Sequence, residues 1–321
     1  MRIAFVGKGG SGKTTLTASF VSFLEKKSHL PVMIFDADIN MNLSSILGFE
    51  KINFDKHLSN PHNSNVIKKW FVGKRIMNDL GAFRKTTPPS KESNILKIEN
   101  IENTPLINFS LKRNNLYFFI VGAYQDYEIG ASCYHNNLSI LEIILNHTND
   151  KNGIIVSDMV AGIDAFASTL YVQFDMLCFI VEPSKKSLEV LDYYYSLIKS
   201  AKEEKNFFVI GNKVTNLEDK IYLEKNLEKI LEKDKILGFF EYDPYIHKIE
   251  REGETLDFYK LKKENQILIK KIFEDLHKLP DKRNERLKKI WNLHKKYTSQ
   301  ESIKIRYGDL TYQIDTEFFF E

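Results

Sequence analysis

A run near the start of the chain, Gly7-Lys8-Gly9-Gly10-Ser11-Gly12-Lys13-Thr14-Thr15, has the residue types and spacing needed to grip a polyphosphate. Gly7 and Gly12-Lys13-Thr14 satisfy G-x-x-x-x-G-K-[ST]. Glycines let successive backbone N–H groups turn inward around phosphate oxygens, and a helix beginning at Lys13 points its positive end at the same place. Gly9, Gly10, Ser11, Gly12 and Thr15 then form the cradle. Lys13 reaches the β/γ-phosphates, and the Thr14 hydroxyl is a ligand for Mg²⁺. Groups suited to the same chemistry stand in three other short stretches, Asp36-Ala37-Asp38, Asp158 with Ala161-Gly162, and Asn212-Lys213.

Each of these groups follows an apolar run. Residues 2–6, 31–37, 153–157 and 207–210 are short and apolar, and read as buried strands. Runs at 115–122, 176–181 and 236–240 complete the set. Helical spacing follows in Leu16, Phe20, Phe23 and Leu24, and again in Leu188, Leu191, Tyr195 and Ile198. Strands alternating with helices predict an α/β fold: a doubly wound, mainly parallel sheet with helices on both faces. Ligands bind such sheets at the carboxyl ends of the strands, where Asp36, Asp38, Asp158 and Asn212 fall.

The chain has 321 residues and a net charge of +3, too small to imply nucleic acid by itself. Its two cysteines, Cys133 and Cys178, make no disulfide framework. No signal peptide and no stretch of membrane-spanning length is present, so the expectation is a cytoplasmic protein.

Lys8 sharpens the reading, since a phosphate loop does not require a second lysine. The run Lys8-Gly9-Gly10-Ser11-Gly12-Lys13-Thr14 resembles the deviant Walker A motif of the MinD/ParA ATPases, a class that includes the CooC-type nickel-insertion ATPases. The likeness covers about residues 1–50 and 115–260. It implies an ATP-hydrolysing homodimer in which Lys8 reaches the partner's nucleotide and, with Lys13, stabilises transition-state charge. It further implies that Asp38 orients the attacking water and that Asp36 supports Mg²⁺ or its waters. Ile39 stands where the family usually has proline. Asp158-x-x-Ala161-Gly162 matches the family's Walker B and switch II segment, whose Asp holds Mg²⁺ through its water shell. Asn212 and Lys213 match the base-holding pair. Thr215, where GTPases carry Asp, favours adenine.

The stretch Glu182-Pro183-Ser184 and the pair Cys133-x-His135 resemble the CooC branch. That likeness implies a role in metallocentre maturation, with nickel or zinc held between subunits. Two alternatives stand beside it. One is a MinD/ParA-like positioning ATPase acting on DNA or membrane; the other is a regulatory ATP-binding subunit recruiting a protein partner. The division expected is an ATPase domain over 1–275, interrupted by an insertion at about 51–112 that contacts a client, and a C-terminal extension over 276–321. Within the insertion, 57–65 reads as turn-rich and 66–80 as a helix. Residues 307–321 read as a strand or docked tail.

Overall fold

The computed structural model describes residues 1–77, 79–122, 135–161 and 169–321, without the side chains of residues 135 and 136. Its strands are β1 (Arg2–Gly7), β2 (Val32–Ala37), β3 (Leu96–Lys97), β4 (Leu111–Arg113), β5 (Leu116–Ile120), β6 (Thr148–Asn149), β7 (Ile154–Met159), β8 (Met176–Val181), β9 (Phe207–Val214) and β10 (Ile236–Glu241). The helices are α1 (Lys13–Lys27), α2 (Leu43–Ile46), α3 (Pro61–Val72), α4 (His135–Asn146), α5 (Lys185–Ala201), α6 (Leu217–Ile230), α7 (Pro244–Glu252), α8 (Lys263–Lys278), α9 (Arg283–Thr298) and α10 (Glu301–Tyr307).

Among the described residues the central sheet has eight strands in the order β10-β9-β8-β1-β7-β2-β5-β4. All neighbours are parallel except β4, which returns antiparallel along β5 at the edge. Alternate residues of each strand serve opposite faces. Ala4 and Val6 face the core formed with α3, α4, α5 and α6, whereas Ile3 and Phe5 face that formed with α1, α7 and α8. Because β1 is central, the loop after Gly7 opens between β7 and β8, and β2 brings Asp36 in register with Asp158 of β7.

The insertion differs from the sequence expectation in one element. Helix α3 begins at Pro61 and ends at Val72 rather than covering 66–80. Asn60 caps it by accepting from His62 N, and proline suits a first turn whose N–H is unpaired anyway. The tail forms no strand. It docks through a single 3-10 turn, Thr311–Gln313, and through Phe320, which packs with Leu287 and Trp291. Insertion and tail hold each other: Thr87 Oγ1 donates to Gln313 Oε1 (2.8 Å) and Arg75 to the Gln313 carbonyl (2.7 Å).

At the amino end of the strands a buried charge cluster joins α9 to the sheet. Arg2, in β1, donates to Asp150 Oδ1 (3.0 Å), and Arg286, in α9, donates to the same oxygen (2.7 Å). Arg286 also pairs with Asp175. The rest of the Arg2 guanidinium is used by Gln173 Oε1 (2.9 Å) and by the carbonyls of Leu145 (2.9 Å) and Thr148 (2.7 Å). Among the described residues no helix is long and apolar enough to cross a membrane.

Candidate nucleotide site

The loop between β1 and α1 closes on itself, with Ser11 N donating to the Lys8 carbonyl (3.1 Å). Gly10 and Gly12 sit at φ 77° and 92°, in the left-handed region where a side chain is strained. Gly12 has a second reason to be glycine: a Cβ there would lie 2.1 Å from Asn212 Nδ2. Helix α1 has no side-chain cap, so its first N–H groups are left to face a ligand.

Lys13 is nearly buried; its ammonium lies 3.5 Å from the Lys8 carbonyl and 3.9 Å from Asp38 Oδ2. Thr14 Oγ1 donates to Asp158 Oδ2 (2.6 Å), and Thr17 Oγ1 lies 3.3 Å from Asp158 Oδ1. Asp36 accepts from the backbone N–H of Asp38 (3.3 Å) and of Leu43 (3.1 Å), which pins the turn carrying Asp38. Asp38 Oδ1 accepts from Asn40, while Oδ2 faces Lys13.

These carboxyls lack enough positive charge. Burial pushes Asp158 up to about 7; the Thr14 and Thr17 hydroxyls and Lys13 pull it back, and Asp38 raises it further. Asp36 is raised well above the carboxylate range by burial and then by Asp158, its register partner. A compact cation would relieve both. The donors on hand are a hydroxyl and carboxylate oxygens, which suit Mg²⁺, a hard ion that is held by few protein groups plus phosphates. Among the described residues no cluster of three or more His, Cys, Asp or Glu could hold a metal unaided. Thr14 and Asp158 are hydrogen-bonded to each other, and Asp36 lies in register with Asp158, so the three oxygen-bearing groups read for Mg²⁺ are neighbours. Cys133, Gly162 and the His135 side chain lie outside the described residues.

Two adjoining cavities cover the loop. One, of about 290 Å³, is lined by Gly10, Lys13, Thr14, Asp38 and Asn42. The other, of about 350 Å³, is lined by Asn212, Phe240, Tyr242 and Ile246. Gly12, Thr15, Lys213 and Glu250 border both, so a polar cavity and a partly apolar one lie side by side. Asn212 does more than face the second cavity. Its Nδ2 donates to the Ser11 carbonyl (2.7 Å), committing it to supporting the loop.

Sequence reasoning gave no site role to two carboxylates that stand here. Glu182, just past β8, accepts from Lys8 Nζ (3.4 Å) and Lys213 Nζ (3.3 Å). Glu250, in α7, accepts from Thr15 Oγ1 (3.2 Å) where the two cavities meet. The signal for Glu182 was its place at the end of a central strand. Glu250 gave a weaker one, the run Glu250 to Gly253 soon after the last core strand.

Residues 3–256 match the model of the CobQ/CobB/MinD/ParA nucleotide-binding domain family. An uncharacterised ATP-binding protein of Methanocaldococcus jannaschii is 30% identical over 281 residues, covering 87% of this chain and 98% of the relative. The carbon monoxide dehydrogenase accessory protein CooC of Rhodospirillum rubrum is 24% identical over 257 residues, covering 79% of this chain and 88% of the relative. Among solved structures, a plasmid partition protein of Borrelia burgdorferi bound to AMPPNP superposes with a TM-score of 0.55 at 19% identity, covering 86% of this chain and 98% of the other. MinD of Pyrococcus horikoshii with Mg-ADP gives 0.54 at 19% identity, covering 86% and 96% of the two chains. With the glycine loop, the strand-end carboxylates and the adjoining cavities in place, the chain belongs to the CobQ/CobB/MinD/ParA family and is a MinD/ParA-type P-loop ATPase.

Proposed function

We propose that this protein binds Mg·ATP across the two adjoining cavities, hydrolyses it, and uses the nucleotide to switch between a single chain and a closed homodimer. The observation that carries the reading is the set of groups facing the loop: Lys13 beside Asp38, and Thr14 on Asp158, with the buried Asp158 and Asp36 carboxyls short of positive charge. The glycine loop and the start of α1 hold the phosphates, and Lys13 neutralises them. Thr14, Asp158 and Asp36 hold Mg²⁺, which supplies charge neutralisation at the phosphates when bound. Asp38 orients water near the terminal phosphate. Asn212 fixes the loop and, with Lys213, borders the base. Lys8 completes the site of a second copy by adding a cation opposite the transferring group, the kind of contribution worth orders of magnitude in phosphoryl transfer.

The test is ATP hydrolysis by wild type, Lys13→Ala and Asp38→Ala. Lys13→Ala should lose roughly 10²-fold or more, as loss of one charge-stabilising group does, and Asp38→Ala a comparable amount through loss of the oriented water. Equal rates in all three eliminate the mechanism. Sedimentation of Asp38→Ala with and without ATP tests the switch, and a nucleotide-independent mass removes the role given to Lys8.

Maturation of a metal centre is the client process best supported, because CooC of Rhodospirillum rubrum aligns over most of this chain. The insertion then supplies the client contact, and Cys133 with His135 the metal contact. Stoichiometric nickel or zinc retained by wild type and lost in Cys133→Ser supports that role. ATP-dependent, salt-sensitive DNA binding in its place supports a positioning ATPase.

A further inference from the structure

Glu182 occupies a place with consequences for the switch. Strand β8 lies beside β1, with Ile180 in register with Gly7, so Glu182 emerges next to Lys8. Its backbone is fixed there: Glu182 N donates to Ser187 Oγ (3.1 Å), at the start of α5. The carboxylate is mostly buried, and each oxygen serves one lysine. Oε1 takes Lys8 (3.4 Å) and Oε2 takes Lys213 (3.3 Å). Lys213 is held independently, since its Nζ also donates to the Gly10 carbonyl (2.6 Å) and its backbone sits at φ 58°.

We infer that Glu182 is a latch: it parks Lys8 on its own chain until a second nucleotide-loaded copy arrives, and Lys213 sets how easily it lets go. This rests on the proposed role of Lys8 across a dimer interface. A lysine paired with its own carboxylate must break that pair before it can serve a neighbour. Two lysines on one carboxylate make the break cheap. When Lys8 departs, Lys213 stays, and Glu182 is never left partly buried without a counter-charge. The charge count gives opposite signs for the two partners. Neutralising Glu182 frees Lys8 and favours the dimer. Removing the Lys213 charge leaves Lys8 as the remaining counter-ion and disfavours it.

The experiment measures the dimer dissociation constant by sedimentation with Mg²⁺ and a non-hydrolysable ATP analogue. Wild type, Lys8→Ala, Glu182→Gln, Lys213→Met and the double variant Lys8→Ala/Glu182→Gln are compared at matched nucleotide saturation. Glu182→Gln should dimerise roughly two- to fivefold more tightly and Lys213→Met more weakly by a similar factor, the scale of one partly exposed ion pair. The double variant should behave as Lys8→Ala. If Lys8→Ala is monomeric while Glu182→Gln equals wild type, the latch is overturned and the switch stands. If Lys8→Ala dimerises like wild type, the trans role of Lys8 fails, and the latch with it. Should Glu182→Gln not fold, Lys213→Met decides alone, and an unchanged or tighter dimer overturns the proposal.

Discussion

The two ends of the central sheet both bury carboxylates, and treat them in opposite ways. At the amino end, burial works against a charge on Asp150, but Arg2, Arg286 and the Met1 amino group outweigh it and hold its carboxyl well below the usual range. At the carboxyl end, Asp158 and Asp36 are equally buried, yet burial prevails and both are raised. Lys13 and the hydroxyl and amide donors around them are not enough there. Buried carboxylates balanced by arginines are finished structure. Buried carboxylates left short of charge are what the proposed Mg²⁺ site would present before its ion arrives.

The most severe way to break this contrast is at the balanced end. Arg286→Met leaves Asp150 and Asp175 with less counter-charge in the interior, and should destabilise the fold by about 3–5 kcal/mol. The effect should be greatest near neutral pH. Asp150 has a depressed carboxyl, so its stabilisation is present above its unfolded value of 3.8 and is lost as pH falls below that through its folded value. Chemical denaturation at neutral pH and in acid checks both. Adding Asp150→Asn should return part of the loss, and an Arg286→Met protein as stable as wild type contradicts the account of this cluster.

The opposite sign belongs to the other end. Asp158→Asn removes a charge the nucleotide-free protein cannot balance, and should stabilise that form by about 1–2 kcal/mol at or above neutral pH. The same change should lower Mg-dependent ATP hydrolysis by roughly 10- to 100-fold, as loss of a group supporting a metal does. Loss of stability together with loss of activity makes Asp158 structural and erases the difference between the two ends.

How much of this was legible beforehand follows from the range of each interaction. The phosphate loop is local: Gly7 to Thr15 signals strand, turn and helix within a few residues, and all three formed as read. Asp36, Asp38 and Asp158 were found because each ends an apolar strand. That Asp36 lies against Asp158 needed the pairing of β2 with β7, which no local pattern encodes. The amino-end cluster was invisible for the same reason, as Arg2, Asp150, Asp175 and Arg286 come from four distant stretches. Arg286 was further disguised. It sits in a lysine-rich helix, yet it is almost wholly buried. In α3 the cue was present but outvoted, because Asn60-Pro61 is a helix start within a stretch whose polarity suggests turns.

A finer contrast appears in the pH dependence of stability without nucleotide. Asp158 is protonated in the folded chain up to about 7, whereas it ionises near 3.8 when unfolded. Between those values the folded state holds the extra proton, so raising pH favours unfolding and stability falls. Other groups titrate in the same window, so the useful quantity is a difference. The advantage of Asp158→Asn over wild type should grow from about pH 4 to about pH 7 and then level off. A difference that is flat across that range means the carboxyl is already ionised and balanced.

The smallest effect is the most direct. If the proton on Asp158 stands where cation charge belongs, binding of preformed Mg·ATP must expel it. Titration calorimetry in buffers of different ionisation heat should show release of at least one proton near pH 6, with the share from Asp158 falling as pH rises past about 7. Asp158→Asn should lose about one proton of that release near pH 6, and Arg286→Met, where it still folds, should keep it all. Binding by wild type with no proton release near pH 6 would mean that nucleotide and metal leave the buried carboxyls as they are. The carboxyl end would then be as self-sufficient as the amino end.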